Sequence, residues 1–323
     1  MAQPEAAARR SLGEWLQAMP RQLLFLLLIV IVSATHFYPI TVPNRPVDPS
    51  VDLFVTLMQI PEGKTVLIES DWTKSTRAES SGQFDALLRI LMRRGIKFAI
   101  YSAADPQAPQ VARDTVARIN AERRNAGQTE YQRWEDWIDL RYFPNAEGTG
   151  QAFAADFISA IKSRKVTDTA GVERPATQAP VLKDIKSIKD FPLVVIVTAS
   201  ATMTIMIERY YGRVPLVGMV TGVMGPETEI YYRSGQLEGM SNGLKGVYDL
   251  EMMMEYGLNV VGEDGKKRVE PSKYRKELPG FPGQKNLSQG MRYSWPLHWA
   301  LGLLILAVIA GNVGMLWTRR RKA

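Results

Sequence analysis

Two long apolar runs, one near each end, constrain how this 323-residue chain can fold. The first covers residues 22–41 when the weakly polar stretch after Tyr38 is included, and the second covers residues 293–318. A helix needs roughly 20 apolar residues to cross a bilayer. We therefore expect two transmembrane helices with a separate domain between them.

Basic residues flank each run on the side of the nearer chain terminus. Because Lys and Arg are enriched on the cytoplasmic side of membrane helices, both termini are predicted to be cytoplasmic. The intervening domain then lies outside the cytoplasm, anchored to an inner (plasma) membrane. The flanking basic residues are Arg9, Arg10, Arg21, Arg319, Arg320, Arg321 and Lys322.

The first run also fits a cleaved signal peptide, since the small residues Val32, Ser33 and Ala34 follow a basic segment and an apolar stretch. We favour its retention as an anchor. Residues 1–21 are then a cytoplasmic segment, and residues 319–323 are a basic cytoplasmic tail.

Composition excludes several kinds of chemistry from the middle of the chain. There is no cysteine, and the two histidines, His36 and His298, lie at the edges of the apolar runs. Catalytic triads that use His or Cys are therefore excluded, as are zinc and haem sites with those ligands. We expect neither a metal nor a cofactor.

The net charge of +7 belongs mostly to the two ends. Of the 40 basic and 33 acidic residues, seven basic residues and two acidic ones, Glu5 and Glu14, lie there, which leaves 33 and 31 elsewhere. A nearly neutral domain lacks the basic surface of a nucleic-acid-binding protein. Nucleic acid is therefore not an expected partner.

Residues 61–261 alternate apolar, β-branched runs with amphipathic stretches. This pattern is typical of an α/β domain with a doubly wound, mostly parallel Rossmann-like sheet. Residues 42–60 and 262–292 are predicted to be linkers to the membrane helices. The predicted strands cover residues 64–69, 96–101, 138–143, 193–198 and 214–220, and the predicted helices cover residues 80–94, 108–125, 149–162, 201–211 and 235–256.

The first predicted strand ends at Glu69 and is followed by Ser70, Asp71, Trp72 and Thr73. This sequence resembles the first motif of the haloacid dehalogenase-like phosphotransferases, an apolar strand followed by Asp-x-Asp-x-Thr. The next strand ends in Ser102 and resembles the family's second motif.

The resemblance implies phosphoryl transfer, with candidate catalytic residues Glu69 and Asp71. Asp105 is a further acidic candidate after the second strand. The family's nucleophilic Asp is replaced by Glu69, whose extra methylene misplaces an in-line attack, and no acidic pair after a later strand completes a magnesium site. In the alternative interpretation, Asp71 is a turn or cap residue.

Hydroxyl side chains follow other strands. Ser102, Ser200 and Thr202 are candidate ligand-binding residues, because the carboxyl ends of parallel strands converge on one edge of the sheet. A helix cap formed by Ser200 or Thr202 explains the same residues.

Glycines recur at every fourth position, at Gly235, Gly239 and Gly243, within the last predicted helix. Each glycine inside a helix costs roughly 1 kcal/mol relative to alanine, so the spacing favours close helix packing, either within the domain or against another subunit. Tyr231 and Tyr232 precede the glycines and are candidate interface residues if exposed, with a membrane-facing or core pair as the alternative.

These features favour a non-catalytic binding or scaffolding subunit of a membrane complex. The expected partners are the lipid bilayer and other membrane or periplasmic subunits, including a second copy of the chain. The alternatives are an extracytoplasmic carboxylate-based hydrolase and a tethered small-molecule receptor.

Overall fold

The computed structural model describes residues 12–38, 45–258 and 278–320. The chain forms two compact units. One contains residues 44–290, and the other combines residues 1–43 with residues 291–323. About half of the linker predicted at 262–292, residues 262–277, lies outside the described residues, whereas residues 278–290 belong to the 44–290 unit.

A six-stranded parallel sheet forms the centre of the 44–290 unit, with the strand order β3-β2-β1-β6-β7-β8. The remaining two strands, β4 and β5, pair as a separate antiparallel hairpin. The prediction of a parallel Rossmann-like sheet is therefore confirmed. The strands are β1 (Thr65–Asp71), β2 (Lys97–Ser102), β3 (Trp137–Tyr142), β4 (Lys165–Thr167), β5 (Glu173–Pro175), β6 (Val194–Thr198), β7 (Leu216–Val220) and β8 (Gly239–Asn242).

Helices cover both faces of the sheet, which explains why its strands are apolar along their whole length. Val66 and Ile68 pack into one core cluster with residues of α3, α4, α5 and α10, whereas Leu67 packs into a second cluster with residues of α6, α7 and α8. The helices of this unit are α3 (Asp48–Gln59), α4 (Arg77–Arg93), α5 (Ala108–Asn125), α6 (Ala146–Ala155), α7 (Phe157–Ile161), α8 (Thr202–Tyr210), α9 (Gly225–Arg233) and α10 (Gly243–Tyr256).

The segment predicted as a linker at 42–60 contains the core helix α3. Pro49 stands in its first turn, where a missing N–H is tolerated, and Leu53, Phe54 and Leu57 are fully buried. The linker prediction was therefore wrong over this helix, whereas the apolar run at residues 51–58, which the sequence allows as a short strand or a helix turn, forms the helical part of the core.

The helix predicted at 235–256 begins only at Gly243. Gly239 starts the edge strand β8, which pairs with β7, and Tyr231 and Tyr232 lie on α9. The helix predicted at 149–162 is divided at Asp156, whose side chain accepts a hydrogen bond from the backbone N–H of Ser159 and starts α7.

The other unit contains α1 (Leu12–Gln17), α2 (Arg21–Phe37) and α11 (Gln289–Arg320) from Met291 onward. Among the described residues, α11 is the one helix long and apolar enough to span a membrane, and α2 is apolar but has only 17 residues. The ring of His36 stacks on that of Tyr293, and Gln17 Nε2 donates to Thr318 Oγ1 at 3.0 Å. The α1–α2 segment and α11 therefore run in opposite directions.

Candidate functional site

The polar residues predicted as a site meet at the carboxyl edge of the sheet. Strand β1 lies between β2 and β6. The strand order therefore runs from β1 to β3 on one side and from β6 to β8 on the other, and reverses between β1 and β6. Asp71, Ser102 and Thr198 end these three strands, and Asp71 is in register with Thr198. Ligands of doubly wound sheets bind at such switch points.

The carboxylate of Asp71 is already occupied by hydrogen bonds from its own domain. Its Oδ1 accepts from Ser102 Oγ at 2.5 Å and from the backbone N–H groups of Ala103 and Ala104 at 2.9 and 3.1 Å. Asp71 is only 5% exposed. Its side chain therefore holds the loop after β2 in place, which is close to the turn-residue alternative of the sequence analysis.

Glu69 lies two residues before Asp71 on the same side of β1 and is 0% exposed. Burial raises its pKa well above the usual value, and the negative charge of Asp71 and a hydrogen bond with that side chain raise it further. Among the described residues, neither oxygen of Glu69 nor Asp71 Oδ2 has a hydrogen-bond donor as partner. The raised pKa favours a retained proton on Glu69, beside the side chain of Asp71.

Two buried tyrosines, which the sequence did not reveal as neighbours, lie close to this pair. The hydroxyls of Tyr101 and Tyr210 are 3.0 Å apart. The pKa of each is raised, first by burial and then by the charge of Glu69. Tyr101 is paired with Glu69 across the β1–β2 ladder. The surroundings of Glu69 are therefore those of a domain interior.

The hydroxyls after β6 bond mainly to one another. Thr198 Oγ1 lies 3.0 Å from Ser200 Oγ and 2.8 Å from Thr202 Oγ1, and the latter two atoms are 3.0 Å apart. The N-cap position of α8 is Ala201. Ser200 and Thr202 therefore lie in one hydroxyl cluster, in which Ser200 Oγ also accepts from the backbone N–H of Thr202 at 3.5 Å.

The third acidic candidate also has a local role. Asp105 accepts a hydrogen bond from the backbone N–H of Gln107 at 2.8 Å, immediately before α5. Its carbonyl oxygen lies 2.9 Å from Ser102 Oγ. Within the described part of the chain, no three His, Cys, Asp or Glu side chains come together as a metal site.

Neither a family model, nor a curated protein, nor a solved structure matches this chain. The chemistry of the site must therefore be judged from its geometry.

The residues predicted for an interface mostly pack inside the domain. A Cβ atom on Gly239 would collide with the backbone of Leu53 in α3, and Gly243 has φ +54° beside the backbone of Gly222. Gly235 has φ +77° in a turn. The glycines therefore do not form one helical stripe, and the physical reason for Gly239 is the close approach of α3.

Tyr231 and Tyr232 are half-buried against the second core cluster. Tyr232 donates its hydroxyl to Asp52 Oδ2 at 2.6 Å, which joins α9 to α3. The residue of α9 that points an apolar side chain outward is their neighbour Ile230, which is 66% exposed.

Proposed function

We propose that this chain is a non-catalytic binding or scaffolding subunit of a membrane complex. The observation that carries the proposal is that Asp71 Oδ1 and the hydroxyls after β6 are engaged in hydrogen bonds within the domain. Asp71 Oδ1 accepts from three donors at and just after the end of β2, and the hydroxyls of Thr198, Ser200 and Thr202 bond to one another. Glu69, which stands where the phosphotransferase motif has its nucleophilic Asp, is fully buried.

Anchoring at both ends is part of the proposal. The apolar residues of α2 and α11 are broadly exposed, as expected of surfaces that meet lipid. At 1.5 Å per residue, the 17 residues of α2 extend about 25 Å, slightly less than the roughly 30 Å hydrocarbon core. Local thinning of the bilayer accommodates such a mismatch. Arginines at both outer flanks support a location of the domain outside the cytoplasm, because Lys and Arg are enriched on the cytoplasmic side of membrane helices.

The contact with another subunit is proposed to include Val223 and Ile230. Val223 is 90% exposed in the turn before α9, and Ile230 is exposed on that helix. Exposed apolar side chains on this domain suit contact with a second subunit, because burial of a large aliphatic side chain contributes about 1.5–3 kcal/mol.

The test is purification of the full chain from native membranes in mild detergent, followed by measurement of the complex mass and composition. We expect a stable complex with wild type, and a complex at least tenfold less abundant with Ile230→Asp. Glu229→Gln, on the same helix, is the matched control and should retain the complex. A wild-type chain that purifies alone, as a monomer, would contradict the scaffolding role.

A carboxylate-based hydrolase is the second candidate, favoured by the pairing of a protonated Glu69 with Asp71. Turnover would require substrate to reach a carboxyl group that is 0% exposed. Hydrolysis of a phosphomonoester by wild type, abolished in Asp71→Asn, would establish this candidate in place of the first.

A further inference from the structure

A groove of about 470 Å³ opens on the helical surface of the 44–290 unit. It is formed by α4, α5 and the segment that precedes α11, and it shares no residue with the carboxyl edge of the sheet. Met92 and Ile119 provide buried apolar surface in the groove. The ionisable residues that line it are Arg89, Arg93, Glu122, Arg123 and Lys285.

The acids around this groove are already shared among several cations. Asp85 binds Arg89 at 2.8 Å and Arg118 at 2.5 Å. Glu122 binds the same two arginines at 2.7 and 3.1 Å, and its Oε1 also lies 3.6 Å from Lys285 Nζ. These two carboxylates therefore have little remaining capacity to neutralise further positive charge.

Arg93 and Arg123 form no ion pair with any carboxylate in the described residues. Arg93 donates to the side-chain oxygen of Asn286 and to the Lys285 carbonyl, and Arg123 Nε donates to the Thr129 carbonyl at 2.8 Å. Each guanidinium also lies over an aromatic ring, at 5.5 and 5.6 Å from its centroid.

The positive charges around the groove outnumber the negative ones. Burial lowers the pKa of Arg93 to about 10, and the positive charges of Arg89 and Arg123 contribute in the same direction, against the carboxylates of Asp85 and Glu255. Five cations (Arg89, Arg93, Arg118, Arg123 and Lys285) face three carboxylates (Asp85, Glu122 and Glu255), an excess of two positive charges.

We propose that this groove binds a phosphate-bearing anion, with Arg93 and Arg123 as the principal ligands and Lys285 at the rim. Guanidinium groups match the oxygens of a phosphate with paired, charge-assisted hydrogen bonds. A phosphomonoester dianion offsets the two excess charges. Met92 and Ile119 then contact the organic part of the ligand.

Such a phosphate can come from a lipid headgroup or from a soluble phosphomonoester. Lys285 lies only 11 residues before Pro296 in α11, a separation of at most about 40 Å even for extended chain. This short chain separation from a helix long and apolar enough to span a membrane makes a lipid headgroup one of the two sources to test. The binding chemistry is the same for both sources and does not depend on the proposed scaffolding role.

The first test measures binding of glycerol phosphate to the full chain by calorimetry, in uncharged detergent at low ionic strength. We expect saturable binding to wild type, weakened about tenfold by Arg123→Gln and to a similar extent by Lys285→Gln, since each removes one charge-assisted contact. Both side chains are at least partly exposed, which favours retention of the fold. Arg124→Gln is the matched control, because Arg124 pairs with Glu130 outside the groove.

The second test distinguishes the sources. The chain is reconstituted in phosphatidylcholine nanodiscs with or without phosphatidic acid, and retained lipid is counted by native mass spectrometry. Arg123-dependent retention of phosphatidic acid supports a lipid headgroup, whereas Arg123-dependent binding of glycerol phosphate alone supports a soluble ligand. If neither ligand binds, or if binding is equal in wild type, Arg123→Gln and Lys285→Gln, the proposal is wrong.

Discussion

At the scale of single residues, Glu69 shows how position changes the meaning of a motif. Its sequence neighbours resemble a phosphotransferase motif, yet its carboxyl group is completely buried. Glu69 pairs with Tyr101 of β2 and precedes Asp71 by two residues on β1. A buried acid without a cationic partner avoids the cost of an isolated charge by keeping its proton. We therefore expect Glu69 to affect the pH dependence of the unfolding free energy more than it affects any catalysed reaction.

Replacement of Glu69 by Gln tests this. The folded-state pKa is raised, so the native protein holds a proton that the unfolded chain releases above about pH 4.5. Wild-type stability should therefore fall as pH rises through that region, by up to about 1.4 kcal/mol per pH unit from this group. Denaturant unfolding from pH 4 to pH 8 should show a flatter profile for Glu69→Gln, whose amide can still donate to Asp71. Identical slopes in the two proteins would contradict a raised pKa.

At the scale of elements, the carboxyl edge is held together by contacts between strands that are distant in sequence. Asp71 at the end of β1 fixes the loop after β2, and Gln83 Nε2 of α4 donates to the carbonyl of Val220 at the end of β7 at 2.7 Å. In an open crevice, such polar groups would be available to a ligand. In this domain, Asp71 and Gln83 instead connect one element to another. This edge is expected to be rigid.

Removal of the Asp71 side chain should therefore loosen the loop after β2. Asp71→Ala leaves the N–H groups of Ala103 and Ala104 without their acceptor, and we expect a loss of about 3 kcal/mol in unfolding free energy. Hydrogen exchange at these two amides should accelerate more than at Phe98, in the middle of the sheet. Asp71→Asn keeps one acceptor oxygen and should lose less. Equal exchange in Asp71→Ala and wild type would show that the loop is held by other contacts.

At the scale of the whole molecule, the two units have opposite surface character. The 44–290 unit buries its apolar side chains on both faces of a sheet, whereas α2 and α11 expose theirs. Phe25 and Ile29 in α2 and Leu304 and Leu306 in α11 are all more than half exposed. Water disfavours such surfaces, and a bilayer accommodates them.

The absence of cysteine makes the proposed topology directly testable. Ser163→Cys places one thiol on the exposed surface of the domain, and Ala323→Cys places one in the basic tail. A membrane-impermeant maleimide added to spheroplasts should label Ser163→Cys at once and Ala323→Cys only after lysis. The reverse pattern would place the domain in the cytoplasm and would remove the topological part of the proposal.

The sequence by itself determined the parallel sheet and the apolar helix at the carboxyl end. Five predicted strands lie within two residues of observed ones, and the helix at 108–125 is observed with those bounds. Long apolar runs are reliable because a strand covered on both faces requires apolar side chains throughout, and a spanning helix requires them around its whole circumference.

The tertiary structure alone decided the roles of Gly239, Glu69 and the groove arginines. The four residues of β8 carry no strand pattern and are held by β7 and by the backbone of α3. The burial of Glu69 depends on helices far away in sequence, and the groove combines side chains from three separated segments. Such features depend on contacts between residues that are far apart in the sequence, so the pattern within a short segment does not reveal them.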